Sequence, residues 1–135
     1  MSDRLFVYGT LQPGATHWRL LEPFVSGSPR PASLPGVLYD TGRGYPALRL
    51  DSGSGPVVRG WVVELRAPSD AALSAMDEYE GVEYRRVRVT LSDGVDCWTY
   101  VWIAGFAGLR RLTEPWPHLR PSAGHDRGPR GTLGA

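Results

Sequence analysis

The sequence predicts an α+β fold, a small mixed β-barrel of about six strands flanked by two or so helices. Three observations carry this. The chain has 135 residues, one domain's length. Its 17 glycines and 12 prolines cut the apolar sequence into short, strand-length runs. Only two stretches, 15–25 and 69–80, space their apolar residues as a helix does.

In chain order, residues 5–8 (Leu-Phe-Val-Tyr) read as a first strand that stops at Gly9. Residues 15–25 read as a short helix, because Trp18, Leu21 and Val25 recur at helical spacing, with Pro23 weakening its second half. Residues 36–39 and 47–50 read as strands around a Gly/Pro-containing link, 52–56 as a turn, and 57–65 as the longest strand. A second helix is expected behind Pro68, with Ser69 as N-cap, Asp70 in its first turn and Gly81 just past its end. Strands at 84–91 and 97–103 are joined by an Asp93-Gly94 hairpin turn. Residues 1–112 are thus read as the domain. Residues 113–135 hold four prolines and four glycines with little to bury, and are read as a tail, irregular or mobile.

Composition removes several chemistries. All 15 basic side chains are arginine, so neither a Schiff-base lysine nor a phosphate-loop lysine exists. Cys97 is the single cysteine, which rules out an internal disulfide and a CxxC site; within its apolar run it reads as a small buried hydrophobe. His17, His118 and His125 lack metal-ligand spacing, so no metal and no cofactor is expected. A net charge of +1 makes no case for nucleic acid. No run approaches the roughly 20 apolar residues of a membrane span, and the N-terminus does not read as a signal peptide. A cytoplasmic setting is the resulting expectation. Oligomeric state is not legible.

The most informative residue breaks a pattern. In the second helix Leu73, Met76 and position 80 share one stripe, and position 80 is Glu80. A carboxylate turned to an apolar core is costly to ionise, and the negative end of the helix dipole pushes the same way, as a general base or acid near neutrality requires. The competing reading pairs Glu80 with Arg85, Arg86 or Arg88 of the next strand, which would favour its ionised form. The residues alone leave both open. A second feature is the loop Tyr8-Gly9-Thr10-Leu11-Gln12-Pro13-Gly14, which reads as a β-turn or as a backbone cradle for a carboxylate, with Gly9 allowing close approach.

Together these segments resemble the γ-glutamylcyclotransferase-like family, in its γ-glutamylamine cyclotransferase or avirulence-induced-gene-like branch. Residues 6–11 with Gly14 resemble that family's Y-G-S/T-L loop. Residues 77–81 (Asp-Glu-Tyr-Glu-Gly) followed by Tyr84-Arg85-Arg86 resemble its D-x-x-E-G segment and Y-x-R continuation. Residues 36–40, 45–48 and 58–65 fit its middle strands, so the likeness runs over about 4–103 in the expected order.

The resemblance implies an intramolecular aminolysis. A γ-glutamyl amine or γ-glutamyl amino acid attacks its own side-chain carbonyl with its α-amine, giving 5-oxoproline and a free amine. Tyr8, Gly9, Thr10 and Leu11 would then bind the substrate's α-carboxylate, and Glu80 would move protons. Tyr84 and Tyr100 are candidates for pocket hydroxyls, although ordinary strand aromatics would explain both; Arg86 reads as a support of the fold. The leaving group could equally belong to a protected biosynthetic intermediate or to γ-glutamyl-lysine. Two further readings are a non-catalytic small-metabolite binding protein using the same pocket, and a structural β-protein whose tryptophans, Trp116 above all, meet a partner.

Overall fold

The strand that opens the chain ends up in the middle of its sheet. A computed structural model describes residues 3–51 and 54–116. In it β1 (Arg4–Val7) lies between β4 (Val57–Leu65), to which it is antiparallel, and β6 (Asp96–Trp102), to which it is parallel. Covered on both faces, β1 reads as the unbroken run Leu5-Phe6-Val7, every side chain of it buried.

The full order is β3-β2-β4-β1-β6-β5, with β7 (Arg110–Leu112) added to β2. The sheet curls until its two edges meet. Tyr84, at the start of β5 (Tyr84–Thr90), donates its hydroxyl to the carbonyl of Pro46, the first residue of β3 (Pro46–Leu50), at 2.6 Å. Tyr45, Tyr84 and Trp102 pack ring to ring over that junction. Arg43 lies over Tyr45 and Trp102 and pairs with Glu83 at 3.1 Å. This is the expected α+β curled barrel: six strands on the main path, the additional strand β7, and two helices.

The helix expected over 15–25 is shorter. α1 spans Trp18–Leu21, a 3₁₀ turn follows at Glu22–Phe24, and Val25 already belongs to a strand. Pro23 explains the break, since it has no N–H for the next α-helical bond and its ring crowds the preceding turn. The larger correction is β2, a 16-residue strand over Val25–Asp40 of which only 36–39 had been expected. Pro29, Pro31 and Pro35 hide it. Prolines lack a ladder donor and are tolerated at unpaired edges, and over 30–35 the ladder partner of β2 is β4 alone among the described strands. A register shift between Ser26 and Arg30, with Gly27 at φ +79°, bends the strand. Farther on it pairs with β3 and β7 instead.

α2 covers Asp70–Glu80, as the expected caps suggested, and Gly81 ends it at φ +84°. Ser69 stands at the N-cap but does not cap; its hydroxyl donates to the carboxylate of Asp3, tying the helix start to the N-terminal segment. α2 buries Ala72, Leu73, Met76 and Glu80. Each fully buried Leu- or Met-sized side chain favours the fold by about 1.5–3 kcal/mol. Between β5 and β6, Asp93-Gly94 form the expected hairpin turn, where the Gly94 N–H donates to Leu91 O and the Val95 N–H to the Asp93 side chain. Cys97 is fully buried, and burial pushes its thiol up to about 12, which leaves it inert near neutrality. Trp116 is partly buried against the core. Residues 117–135, most of the expected tail, lie outside the described residues, as do 52 and 53 of the expected turn.

Candidate functional site

Glu80 closes α2 and is 0% exposed. Gly81 turns the chain there, so that β5 begins at Tyr84 and runs back past the helix. β6 pairs with β5, Arg86 opposite Tyr100. Tyr8 follows the last residue of β1, the neighbour of β6. Tyr8, Tyr84 and Tyr100 thereby come near enough to feel the charge of the buried Glu80, as does its chain neighbour Tyr79.

Burial raises the hydroxyl pKa values of Tyr8, Tyr79, Tyr84 and Tyr100 well above the usual phenol range, and the charge of Glu80 adds to the rise in all four. The structure thus brings together Tyr8, Glu80, Tyr84 and Tyr100 from the residues singled out in the sequence. It adds Tyr79, which the sequence reading passed over. Its signal was adjacency: Tyr79 precedes Glu80 and is offset round the helix toward the 8–11 loop.

The hydroxyls have definite partners. Tyr8 donates to the carbonyl of Tyr100 at 2.6 Å, and Tyr100 donates to the Asp77 carboxylate at 2.6 Å. The Tyr79 hydroxyl lies 3.4 Å from Thr10 Oγ1, a long contact for two hydroxyls. His17 packs its ring against Tyr79 at 5.7 Å between centroids, and burial with nearby Arg19 lowers its pKa.

The arginines that might have paired with Glu80 are engaged elsewhere. Arg86 forms a fork on Asp77, at 2.8 and 3.1 Å. Arg88 lies 3.9 Å from Asp3, and both guanidinium groups stack over Trp98. Arg85 is exposed on the alternate face of β5.

Burial alone would raise the Asp77 pKa, but hydrogen bonds from Arg86 and Tyr100 outweigh it and hold the carboxyl below its ordinary 3.8. A depressed folded value means that its contribution to stability is present above about pH 3.8 and is lost as pH falls through the folded value. Melting curves of the wild type and Asp77→Asn are therefore expected to differ at neutral pH and to converge in strong acid. A gap of constant size would contradict this.

The 8–11 loop is compact. Tyr8, Thr10, Leu11 and Gln12 are buried. The carbonyl of Gly9 accepts from the Gln12 N–H at 3.1 Å and from the Gln12 side chain at 3.2 Å. The carbonyl of Thr10 accepts from the His17 N–H at 2.9 Å, tying the loop to α1. Across a trans peptide the N–H points opposite to the C=O. The Thr10 amide is therefore turned out of the Gly9–Gln12 turn, and the Leu11 amide points away from His17. Among the described residues no three of His, Cys, Asp and Glu converge as metal ligands. A cleft of about 220 Å³ lies between β2, β4 and β7, beside Arg59, Arg111 and Glu114, and none of the tyrosine-cluster residues line it.

Comparison with known proteins bears on the family and the fold. A family model described as "Gamma-glutamyl cyclotransferase, AIG2-like" matches residues 5–122. The gamma-L-glutamyl-butirosin B gamma-glutamyl cyclotransferase of Niallia circulans is 33% identical over 109 residues, 73% of this chain and 65% of that protein. A provisionally named gamma-glutamylcyclotransferase of Halalkalibacterium halodurans is 40% identical over 70 residues, 49% of this chain and 62% of that one. The chain thus spans somewhat under two thirds of the length of these two relatives. Among solved structures, an AIG2-like protein from Mus musculus superposes with a TM-score of 0.65 at 19% identity, over 92% of this chain and 91% of that one, a likeness of fold. With a family model matched across most of its length and this sheet beneath it, the chain belongs to the AIG2-like gamma-glutamyl cyclotransferase family.

Proposed function

We propose that this protein is a cofactor-independent γ-glutamylcyclotransferase, and that Glu80 carries the proton in its reaction. The observation that supports this most is a wholly buried carboxyl group set among four tyrosines and next to the 8–11 loop. The substrate is a small γ-glutamyl amine or γ-glutamyl amino acid, and the setting is cytoplasmic. The Niallia circulans relative, named for a γ-glutamylated butirosin, supports an amine leaving group that need not be an amino acid.

The substrate's α-carboxylate binds at the turned-out amides of the 8–11 loop, which brings the α-ammonium to Glu80. Glu80 removes one ammonium proton. The amine nitrogen attacks the γ-carbonyl carbon, forming the ring C–N bond and a tetrahedral intermediate. Glu80 returns its proton to the leaving nitrogen as that C–N bond breaks, and the second proton shed by the ring nitrogen passes through the same carboxyl group to the departing amine, which leaves as an ammonium. The products are 5-oxoproline and the free amine, with no water consumed.

The nucleophile belongs to the substrate, so the protein needs no lysine, reactive cysteine or metal. Holding the substrate folded is worth about 7–11 kcal/mol in favourable intramolecular cases. Proton transfer adds about 10²–10⁴-fold in rate.

A panel of γ-glutamyl-lysine, γ-glutamyl-alanine and a γ-glutamylated aminoglycoside tests the proposal. At least one is expected to release 5-oxoproline, and its α-N-acetyl derivative to release none. Turnover of the acetylated compound would exclude the α-amine as nucleophile. Saturable binding of the panel with no product over hours would favour a metabolite-binding protein instead.

A further inference from the structure

Of the four tyrosines that feel the charge of Glu80, three give their phenol proton to a strong acceptor at 2.6 Å: Tyr8 to the Tyr100 carbonyl, Tyr84 to the Pro46 carbonyl and Tyr100 to the Asp77 carboxylate. Tyr79 does not. Among the described residues its hydroxyl meets Thr10 Oγ1 alone, at 3.4 Å, beyond the roughly 2.5–3.0 Å of a good O–H···O bond. A phenol has one proton, and that of Tyr79 is uncommitted. The two oxygens come from the two segments that matter most to the proposed reaction: Thr10 from the 8–11 loop, and Tyr79 from the helix position before Glu80.

We propose that Tyr79 is a substrate-binding residue: its hydroxyl, set beside Thr10, donates to the substrate α-carboxylate held at the 8–11 loop. This rests on the reading of that loop given above. An ionised carboxylate only accepts hydrogen bonds and has about four lone-pair sites, so the loop amides and one phenol can bind it together. The long contact to Thr10 leaves the phenol proton free to turn to this stronger acceptor. Burial raises the Tyr79 pKa, so the phenol remains a donor through the neutral range.

His17 touches both halves of the pair. Its imidazole packs on the Tyr79 ring at 5.7 Å between centroids, tilted by 60°, and its backbone N–H donates to the Thr10 carbonyl at 2.9 Å. The phenol ring and the loop are thus held against one residue. The α-carboxylate keeps its charge throughout ring closure. A hydrogen bond to it therefore stabilises the bound substrate and the transition state alike, which lowers KM and leaves kcat unchanged. A phenol placed instead on the reacting carbonyl would meet charge that develops only in the transition state, and would raise kcat.

The test is Tyr79→Phe in the full chain, which removes one oxygen and keeps a ring against His17, so its Tm is expected to stay within about 2 °C of wild type. KM for the best panel substrate is expected to rise about 10- to 100-fold, the worth of one hydrogen bond to a charged group, with kcat held within about three-fold. Calorimetric titration with 5-oxoproline, the product that retains the α-carboxylate, is expected to show the same loss of affinity. A fall in kcat at unchanged KM overturns the proposal and moves the phenol to the reacting carbonyl. Unchanged KM and unchanged 5-oxoproline affinity overturn it as well. The calorimetric arm needs no turnover: if the panel yields no 5-oxoproline, the reaction is refuted while the carboxylate contact is still decided by binding. A wild type that neither turns over the panel nor binds 5-oxoproline overturns both.

Discussion

Glu80→Gln is expected to lower the rate of 5-oxoproline release by about 10²–10⁴-fold while leaving the chain folded. Glutamine has nearly the same shape and cannot accept and return a proton. It replaces a carboxyl group that is 0% exposed, so the substitution introduces no charge into the interior. Stability is expected to hold or rise, because burying an ionisable group is costly and burying an amide among polar neighbours is less so. Turnover of the best panel substrate, read beside a melting curve, separates the two effects. A folded variant within a few-fold of wild-type turnover would remove Glu80 from the chemistry. Loss of activity together with loss of the fold would instead make Glu80 a structural residue.

Gly60→Ala is expected to have the largest effect on the fold. Gly60 sits in β4 where that strand crosses the end of β1. A Cβ placed there would lie 2.3 Å from the backbone oxygen of Val7 and 3.0 Å from the ring of Phe6. The first of these is backbone in a central strand and cannot swing aside. Overpacking typically costs about 1–3 kcal/mol, and relief here requires β1 to move. A fall in Tm on the order of 10 °C is expected for a chain of this size. Val7 leads into Tyr8 and the 8–11 loop, so substrate affinity should weaken even at temperatures where the variant is folded. A Tm within about 2 °C of wild type would mean that the β1–β4 crossing is looser than the structure has it.

Much of this was legible in the sequence, and the reasons differ by element. β4 and α2 carried their own boundaries: an apolar run between Pro56 and Arg66, and a helix set off by Pro68, Ser69 and Gly81. Glu80 was visible because a helix has a fixed period, so one acidic residue on the Leu73–Met76 stripe stands out. β2 was not visible. Its three prolines and Gly27 argue locally against a strand, and the edge that tolerates them exists only once β4 lies beside it. The helix over 15–25 failed for a related reason, since Pro23 ended it where the spacing would have carried it on. Side-chain pairing was beyond the sequence. Ser69 finds Asp3, Arg86 finds Asp77 and Tyr84 finds Pro46, contacts that depend on how the sheet curls. That Arg86 goes to Asp77 and Arg88 toward Asp3 likewise needed the structure.

In the proposed reaction the nucleophile is the substrate's own α-amine and water takes no part. Turnover of a γ-glutamyl amine in water enriched in heavy oxygen tests it directly. Ring closure predicts 5-oxoproline of unshifted mass and one equivalent of free amine. Glutamate carrying heavy oxygen in its side-chain carboxylate would show hydrolysis, and would contradict the claim.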